Sequence, residues 1–329
     1  MKILLTGFYG EGNLGDETIL QAICSCLPAD CRAFVTSGLP SQGAAAPIRR
    51  RGLASWPVFL QTAAASEHAI FSGGILQDWS FEGVTWFALR LMAAAAMGCQ
   101  TSLWGAGIGP LRSRWARQIV SRALRRVKIA WLRDPQSVRL FNELGPVEAS
   151  YGTDWSWLVP VEWHENQRRN APFALNLRPW KSGNFTELVT CQLRHNERHI
   201  VGLAARRDDV KAIKALAPAA SIMQPTSFAE FADACTNLSF GLAMRFHAGL
   251  AMLRAGLPVK LAAYDGKVHW LAEDAGVLTL QQNQLADFRR ARPGFCAENS
   301  ARLQQMRQAF AEMLGQPNLP VLPCPGVSL

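Results

Sequence analysis

Short apolar runs that end in glycine or in a polar pair, each followed by a stretch with helical periodicity, recur along this chain from its first residues. "KILLTG" (2–7) reads as a strand and "DETILQAICSCL" (16–27) as a helix. "RAFVTSG" (32–38), "HAIFSGG" (68–74), "TSLWGAG" (101–107) and "KIAWLRD" (128–134) read as further strands, with helices over 83–97, 112–127 and 135–144. A strand that leads into a helix and then into another strand of the same direction predicts a parallel sheet covered by crossover helices. The polar, mixed-charge stretch "VPVEWHENQRRNA" (159–171) interrupts the rhythm and reads as a linker. A second strand set follows: "FALNLRPW" (173–180), "HIVGLAA" (199–205), "SIMQPTS" (221–227), "LSFGLAM" (238–244) and "PVKLAAYD" (258–265). The expected architecture is α/β, with two Rossmann-like βα domains facing a central cleft. The expected boundaries are 1–158, a linker at 159–171, 172–296, and a late helix with a Pro-rich tail ("PNLPVLPCPG", 317–326) over 297–329.

Composition narrows the class. Of 329 residues, 49% are hydrophobic and 18% charged, which is a globular balance. A net charge of +9 favours an anionic partner without naming one. "MKILLTG" is too short for a signal-peptide apolar region, and "LMAAAAMGC" (91–99) falls far below the roughly 18–20 residues of a membrane span, so a cytoplasmic location is expected. Eight cysteines are scattered; Cys24, Cys26 and Cys31 cluster, but no second cluster completes a tetrahedral site. Reduced thiols and no bound metal are expected.

"TGFYGEGNLGDE" (6–17) contains a literal G-x-G-x-x-G at Gly10, Gly12 and Gly15. A dinucleotide site also needs an acidic residue at the end of the second strand, and "RAFVTSG" has none. Asp16 and Glu17 follow the last glycine, where two negative charges would repel a pyrophosphate. The loop is expected to be a lookalike. Asn13, Phe8, Tyr9 and Asp16 suggest instead a site for a polyhydroxyl ligand, although Asp16 equally suits a helix cap.

These landmarks resemble the polysaccharide pyruvyl transferase family. "GFYGEGNLGDETIL" is similar to its opening loop, "FSGGILQD" (71–78) to its Gly-Gly segment, and "WGAGIGPL" (104–111) to its G-x-G-I-G-P-L loop. "LRD" (132–134), "GTDWSW" (152–157), "LNLRPW" (175–180) and "MRFHAGLAMLRAGLPVKLAAYDGKV" (244–268) follow in the family's order. Departures are Glu11 where an apolar residue is common, the small residues after His247, and Gly266 where Pro is frequent.

The resemblance implies a glycosyltransferase-B-like fold. It also implies transfer of the enolpyruvyl group of phosphoenolpyruvate to a sugar, closing a cyclic pyruvate ketal and releasing phosphate. Phosphoenolpyruvate is then a co-substrate, with no resident cofactor. His247 suits the proton transfer, because imidazole titrates near neutrality. Arg245 and Lys267, with Arg133 and Arg178, suit the carboxylate and phosphate. Asp16 suits orientation or deprotonation of an acceptor hydroxyl. Gly12, Asn13, Gly74 and Asp78 are expected to bind the acceptor. The first domain is thereby the acceptor side and the second the phosphoenolpyruvate side.

"LRSRWARQIVSRALRRVK" (111–128) carries seven Lys or Arg and no acid. Trp115, Ile119, Val120, Ala123, Leu124 and Val127 recur at helical spacing and are expected to pack inward. Arg114, Arg117, Arg122 and Arg125 would face solvent, or phosphates of a polyprenyl-pyrophosphate acceptor at the inner face of a membrane. Trp79, Trp180 and Trp270 are the tryptophans nearest the motifs and suit sugar stacking. A sugar-nucleotide glycosyltransferase, with Glu273 or Asp274 as ribose ligand, is the rival reading. A non-catalytic anionic-glycan binder is a third. Nucleic acid is disfavoured, because Trp115 is the one aromatic within the basic run. Neither the acceptor sugar nor the oligomeric state is legible.

Overall fold

The computed structural model describes residues 1–38, 46–49, 52–164, 170–180, 184–196, 198–282 and 286–316. The Pro-rich tail at 317–326 and residues 165–169 of the expected linker lie outside the described residues. The chain divides into two units. The first comprises Met1–Leu158 with the chain from Ala301, and the second Val159–Ser300.

The first unit runs β1 (Lys2–Tyr9), α1 (Leu14–Ser25), β2 (Arg32–Ser37), β3 (Ala46–Arg49), α2 (Ser55–Ala64), β4 (His68–Phe71), β5 (Gly74–Ile75), α3 (Phe81–Ala96), β6 (Gln100–Ile108), α4 (Arg114–Leu124), β7 (Val127–Leu132), α5 (Pro135–Leu144) and β8 (Ser150–Tyr151). All pairings are parallel, in the order β3-β2-β1-β4-β6-β7-β8, with β5 beside β6. The strand order reverses between β1 and β4. In open α/β sheets the crevice at such a reversal, outside the carboxyl ends of the strands, is where ligands bind.

The second unit repeats the plan: β9 (Phe173–Asn176), α6 (Phe185–Arg194), β10 (Ile200–Leu203), α7 (Arg207–Leu216), β11 (Ser221–Met223), α8 (Phe228–Ala234), β12 (Phe240–Ala243), α9 (Phe246–Arg254), β13 (Val259–Leu261), α10 (Gly266–Ala275) and β14 (Leu278–Thr279). Its parallel order is β11-β10-β9-β12-β13-β14, and the reversal falls between β9 and β12. A last helix, α11 (Phe295–Met313), begins in the second unit and ends in the first.

Helices cover both faces of each sheet, so the central strands have apolar, buried middles: Ile3, Leu4 and Leu5 are fully buried, as are Phe173, Ala174 and Leu175. In the first unit Phe310 of α11 packs edge-on against Trp104 and Trp155, with ring centroids 5.0 and 5.3 Å apart. Trp155 donates its indole N–H to the Trp104 carbonyl at 3.0 Å. Gly105 makes room for it. Its φ is +61°, and a Cβ there would stand 2.7 Å from the Trp155 ring.

Helix α4 differs from expectation. Its buried stripe is Ala116, Val120, Ala123 and Leu124, whereas Trp115 lies outside it and is 39% exposed. β3, β8, β14 and helices α2, α6, α7, α8 and α10 are additional to the elements named from the sequence; these strands are two to four residues long and α2 carries Pro57 in its first turn.

The glycine loop after β1 is filled from within. Gly10 and Gly12 have φ of +71° and +65°, conformations suited to glycine. The Gly10 amide donates to Glu17 Oε1 at 2.7 Å, and the Glu11 and Gly12 amides also point at this carboxylate. A side chain of α1 therefore occupies the position an NAD pyrophosphate takes in a dinucleotide loop. Burial raises the Glu17 carboxyl above its ordinary value, the loop amides lower it, and nearby Asp16 raises it again; the net direction is up. The N-cap of α1 is Asn13 and not Asp16. The Asn13 side chain makes no cap bond to the backbone but donates to the Asp16 carboxylate.

Two predictions follow from this architecture. A carboxyl whose folded pKa is raised contributes stability that is lost as pH climbs through that folded value. The stability of Glu17→Gln relative to the wild type should therefore grow between pH 4.5, the ordinary glutamate value, and neutrality. Urea midpoints measured across that range would show it, and a constant difference would contradict it. Phe310→Ala should cost about 3–5 kcal/mol by opening a cavity between two tryptophans. A loss below about 1 kcal/mol in urea unfolding would mean that α11 does not seal this core.

Candidate functional site

In the first unit the residues that gather at the reversal are Asn13, Asp16, Gly73, Gly74, Gly107, Arg133 and Asp154. Asp16 is buried in the first turn of α1, and a Cβ on Gly73 would stand 3.3 Å from its Oδ1. Gly74 faces the Arg133 Nη2 at 3.5 Å by the same measure. Gly107 is still tighter: a Cβ there would come within 2.7 Å of the Arg133 Nε, so only glycine lets the guanidinium lie across β6.

Arg133 stands just past β7 and is 2% exposed. Its Nη1 donates to Asp154 Oδ2 at 2.7 Å, a pair in which both side chains are almost wholly buried. Burial works against its charge, but the carboxylates of Asp154, Asp134 and, further off, Asp16 outweigh that and hold its pKa up. The adjacent Asp134 is not its hydrogen-bond partner. That carboxylate caps α5, accepting from the Ser137 amide at 2.7 Å and hydroxyl at 2.8 Å. Arg133 thus sits beside Asp16, engaged by Asp154, and in the first unit apart in sequence from the other three expected cations.

The remaining acceptor candidates are placed differently. Gly12 lies on the exposed rim of the loop, with nothing within 4 Å of the Cβ position. Asp78 serves the backbone. Its Oδ2 accepts from the Arg112 amide at 3.0 Å and from the Ser113 amide and hydroxyl at 2.8 and 2.7 Å. Partial burial raises its carboxyl, but these donors lower it further, and the net direction is down. Tyr9 is a core residue, 1% exposed, and not a lining one.

The second unit collects cations. Arg178 lies two residues beyond β9, Arg245 two beyond β12, and Lys267 in the first turn of α10, which follows β13. Those three strands are neighbours and parallel, so their carboxyl ends share one edge. Arg178 donates from Nη1 to the Tyr264 hydroxyl at 2.8 Å and lies over the rings of Tyr264 and Trp180, at 4.9 and 5.4 Å. Trp180 and Tyr264 are themselves in contact, with centroids 4.6 Å apart. Lys267 Nζ is 3.3 Å from Asp265 Oδ2, and the other oxygen of Asp265 caps α10 by accepting from the Val268 amide at 3.1 Å.

Arg245 is the N-cap residue of α9 and has a partner that sequence reasoning missed. Its Nε and Nη2 donate to the two oxygens of Asp209 at 2.7 and 2.6 Å. Asp209 is fully buried and also accepts from the Ala205 and Arg206 amides, both at 3.1 Å. Burial pushes its carboxyl up, and the Arg245 guanidinium opposes that without reversing it. Asn176, also missed, ties three strand ends together: its amide donates to the Leu203 carbonyl at 2.8 Å and its oxygen accepts from the Arg245 amide at 3.0 Å. His247, half-buried on the first turn of α9, lies edge-on to Phe246 at 5.1 Å. "RRDDV" (206–210) suggests a helix start, which is the signal that could have marked Asp209 as a cap.

Other candidates fall away from these edges. Glu273 faces His269 at 3.7 Å, and Asp274 accepts from Asn299 at 2.9 Å and lies 3.7 Å from Arg292, all at the far end of α10. Trp270 is buried. His195 and His199 have local partners, Cys191 O at 2.9 Å and Ser221 Oγ at 2.8 Å. Burial lifts the Cys24 thiol to about 11.

Comparison with solved structures shows the same two-unit fold in sugar-nucleotide proteins. The chain matches Methanocaldococcus jannaschii UDP-GlcNAc 2-epimerase in complex with UDP-GlcNAc and UDP at a TM-score of 0.61 and 12% identity, covering 96% of this chain and 99% of that one. It matches the S. aureus MnaA–UDP structure at 0.60 and 11%, covering 96% and 97%. It matches Anabaena Alr3699/HepE in complex with UDP at 0.59 and 13%, covering 96% and 100%. At such identities the likeness shows the fold, which is glycosyltransferase-B-like. No curated relative matches the sequence. The family model for polysaccharide pyruvyl transferase matches residues 13–263, from the Asn13 of the glycine loop to the residue before Tyr264, and the chain belongs to that family.

Proposed function

We propose that this pyruvyl transferase uses phosphoenolpyruvate as donor and closes a cyclic ketal on a sugar of a polysaccharide or its lipid-linked precursor. The observation that carries this reading is the set of Arg178, Arg245, His247 and Lys267 on one edge of three adjacent strands. Phosphoenolpyruvate carries a carboxylate and a phosphate on one small frame. Two guanidiniums and an ammonium at a helix start supply matching charge-assisted contacts.

The chemistry assigns the groups as follows. His247 delivers a proton to the methylene carbon, which gives an oxocarbenium-like centre at the carbon bearing the phosphate. One sugar hydroxyl attacks that carbon and phosphate departs. A second hydroxyl then completes the ketal. Of the two hydroxyl protons, one balances the new methyl group and the other leaves with phosphate. Arg178 and Lys267 hold the anion, with the unshared Nη1 of Arg245. Asp209 fixes Arg245 and is a positioning residue. In the first unit Asp16, with Asn13 on its carboxylate and Gly73 and Gly74 beside it, orients the acceptor hydroxyls. Arg133, being buried and paired with Asp154, shapes that pocket floor and is not assigned to the donor. The glycosyltransferase reading is less favoured, because Glu273 and Asp274 stand in the last turn of α10 and not at the carboxyl edge of the strands.

The test is phosphate release from phosphoenolpyruvate with lipid-linked ManNAc-, galactose- and glucose-containing acceptors. Release should depend on an acceptor, and His247→Ala should lower kcat by about 10²–10⁴-fold with KM little changed. Arg178→Ala and Lys267→Ala should raise the KM for phosphoenolpyruvate by about tenfold or more. Undiminished release in His247→Ala would overturn the assignment. Absence of release together with tight UDP- or GDP-sugar binding would identify a glycosyltransferase. Asp209→Asn separates positioning from chemistry. It should raise KM while leaving the pH profile of kcat unchanged, and a shifted profile would instead place Asp209 among the groups that move the proton.

A further inference from the structure

The segment between β5 and α3 and the start of α4 together form an exposed patch that the reaction does not use. Phe81 is 69% exposed, Trp115 39% and Trp79 37%. Phe81 and Trp115 lean on one another, with centroids 5.2 Å apart, and the Arg112 guanidinium lies 4.4 Å above the Trp79 ring. Leu89, two turns further along α3, is 42% exposed. The patch is built and not incidental. The three hydrogen bonds from Arg112 and Ser113 to Asp78 pin the start of α4 against the residue preceding Trp79.

Arg112 and Arg114 are exposed at the end of α4 that carries these rings, and Arg122, Arg125, Arg126 and Lys128 are exposed further along α4 and into β7, while Arg117 is paired with Glu143. Along α4, Trp115, Gln118 and Arg122 stand at i, i+3 and i+7, so the aromatic ring and the arginines share the face opposite the buried stripe. Glu82 is the one exposed acid in the first turn of α3.

We infer that this patch docks the first unit on an anionic lipid bilayer, with Phe81, Trp115 and Trp79 entering the interfacial layer and the arginines meeting lipid phosphates. Aromatic side chains beside arginines suit the headgroup boundary, where one end of each group is apolar and the other wet. A single-stranded nucleic acid fits less well, because a stacking base needs an open ring face. Here Arg112 already lies over one face of Trp79, Phe81 and Trp115 meet in a tilted contact, and Trp115 is the one aromatic within the basic run. The docking stands independently of the proposed reaction; only its use, to bring a lipid-borne acceptor to the carboxyl edge of β6, rests on that reading.

The experiment is co-sedimentation of the full chain with phosphatidylglycerol–phosphatidylcholine vesicles and with pure phosphatidylcholine vesicles, without substrates. Binding to the anionic vesicles alone is expected. Phe81→Ser with Trp115→Ser should weaken it about tenfold or more, and Arg112→Gln, Arg114→Gln, Arg122→Gln and Arg125→Gln about fivefold each at low salt. Far-UV circular dichroism and urea midpoints confirm that each variant is folded. Turnover of a water-soluble acceptor should be unchanged in Phe81→Ser, which separates failure of docking from failure of the proposed reaction. Absence of binding to anionic vesicles, wild-type binding by the aromatic variants, or displacement of the protein from vesicles by a single-stranded oligonucleotide would each overturn the inference.

Discussion

Arg245 and Asp209 form a two-point ion pair from which water is nearly excluded, the carboxylate being fully buried and the guanidinium side chain 12% exposed. Taking two charges out of water costs several kcal/mol per ion, and only good geometry with further hydrogen bonds offsets it. Here the geometry is met on all sides. Asp209 receives four donors, two from Arg245 and two from the turn before α7. Arg245 in turn gives its backbone amide to Asn176, which also holds the end of β10. Three strand ends are locked in register by one buried charge, and His247, two residues along, inherits its position from that lock.

The first unit solves the same problem with different residues. Arg133 and Asp154 are buried against β6, and the chain yields by having glycine at 107, where any side chain would collide with the guanidinium. Buried pairs of this kind are weak sources of net stability, but losing one partner strands the other and is strongly destabilising. At both carboxyl edges the pair has a local consequence: each fixes the loop that carries neighbouring polar groups.

Much of this was legible in the sequence, and the reasons differ by level. The βα alternation follows from fully buried parallel strands, whose continuous apolar runs stand out against amphipathic helices. α5 is legible to the residue because Asp134 and Pro135 mark its start and Gly145 its end. Short edge strands such as β3 and β14 carry too few residues for a pattern. The candidate residues were found at the strand ends, where glycines and polar pairs interrupt apolar runs. Their partners were not. Nothing local ties Asp209 to Arg245 across 36 positions, or Arg133 to Asp154 across 21, since those contacts are made by strand order and not by neighbours in sequence. Trp115 was misplaced for a related reason. Helical spacing alone put it on the inward stripe, whereas small residues, Ala116 and Ala123, are what let α4 pack closely.

The two units use one strand order for opposite electrostatic ends. At the reversal of the first, the loop amides are already satisfied by Glu17, and Asp16 is the group turned towards Gly73; an incoming anion would meet carboxylates in a nest that is already full. At the reversal of the second, the residues after β9, β12 and β13 are cationic and a helix start adds its dipole. The two reversals therefore differ in charge before any specific contact is considered: the Asp16 carboxylate is turned towards the first, and guanidinium and ammonium groups stand at the second. The G-x-G-x-x-G spacing reports the shape of a tight strand-to-helix turn, and its ligand is decided by the side chain that follows. With Glu17 in place the same backbone that would cradle a pyrophosphate becomes a rigid support for Asn13 and Asp16.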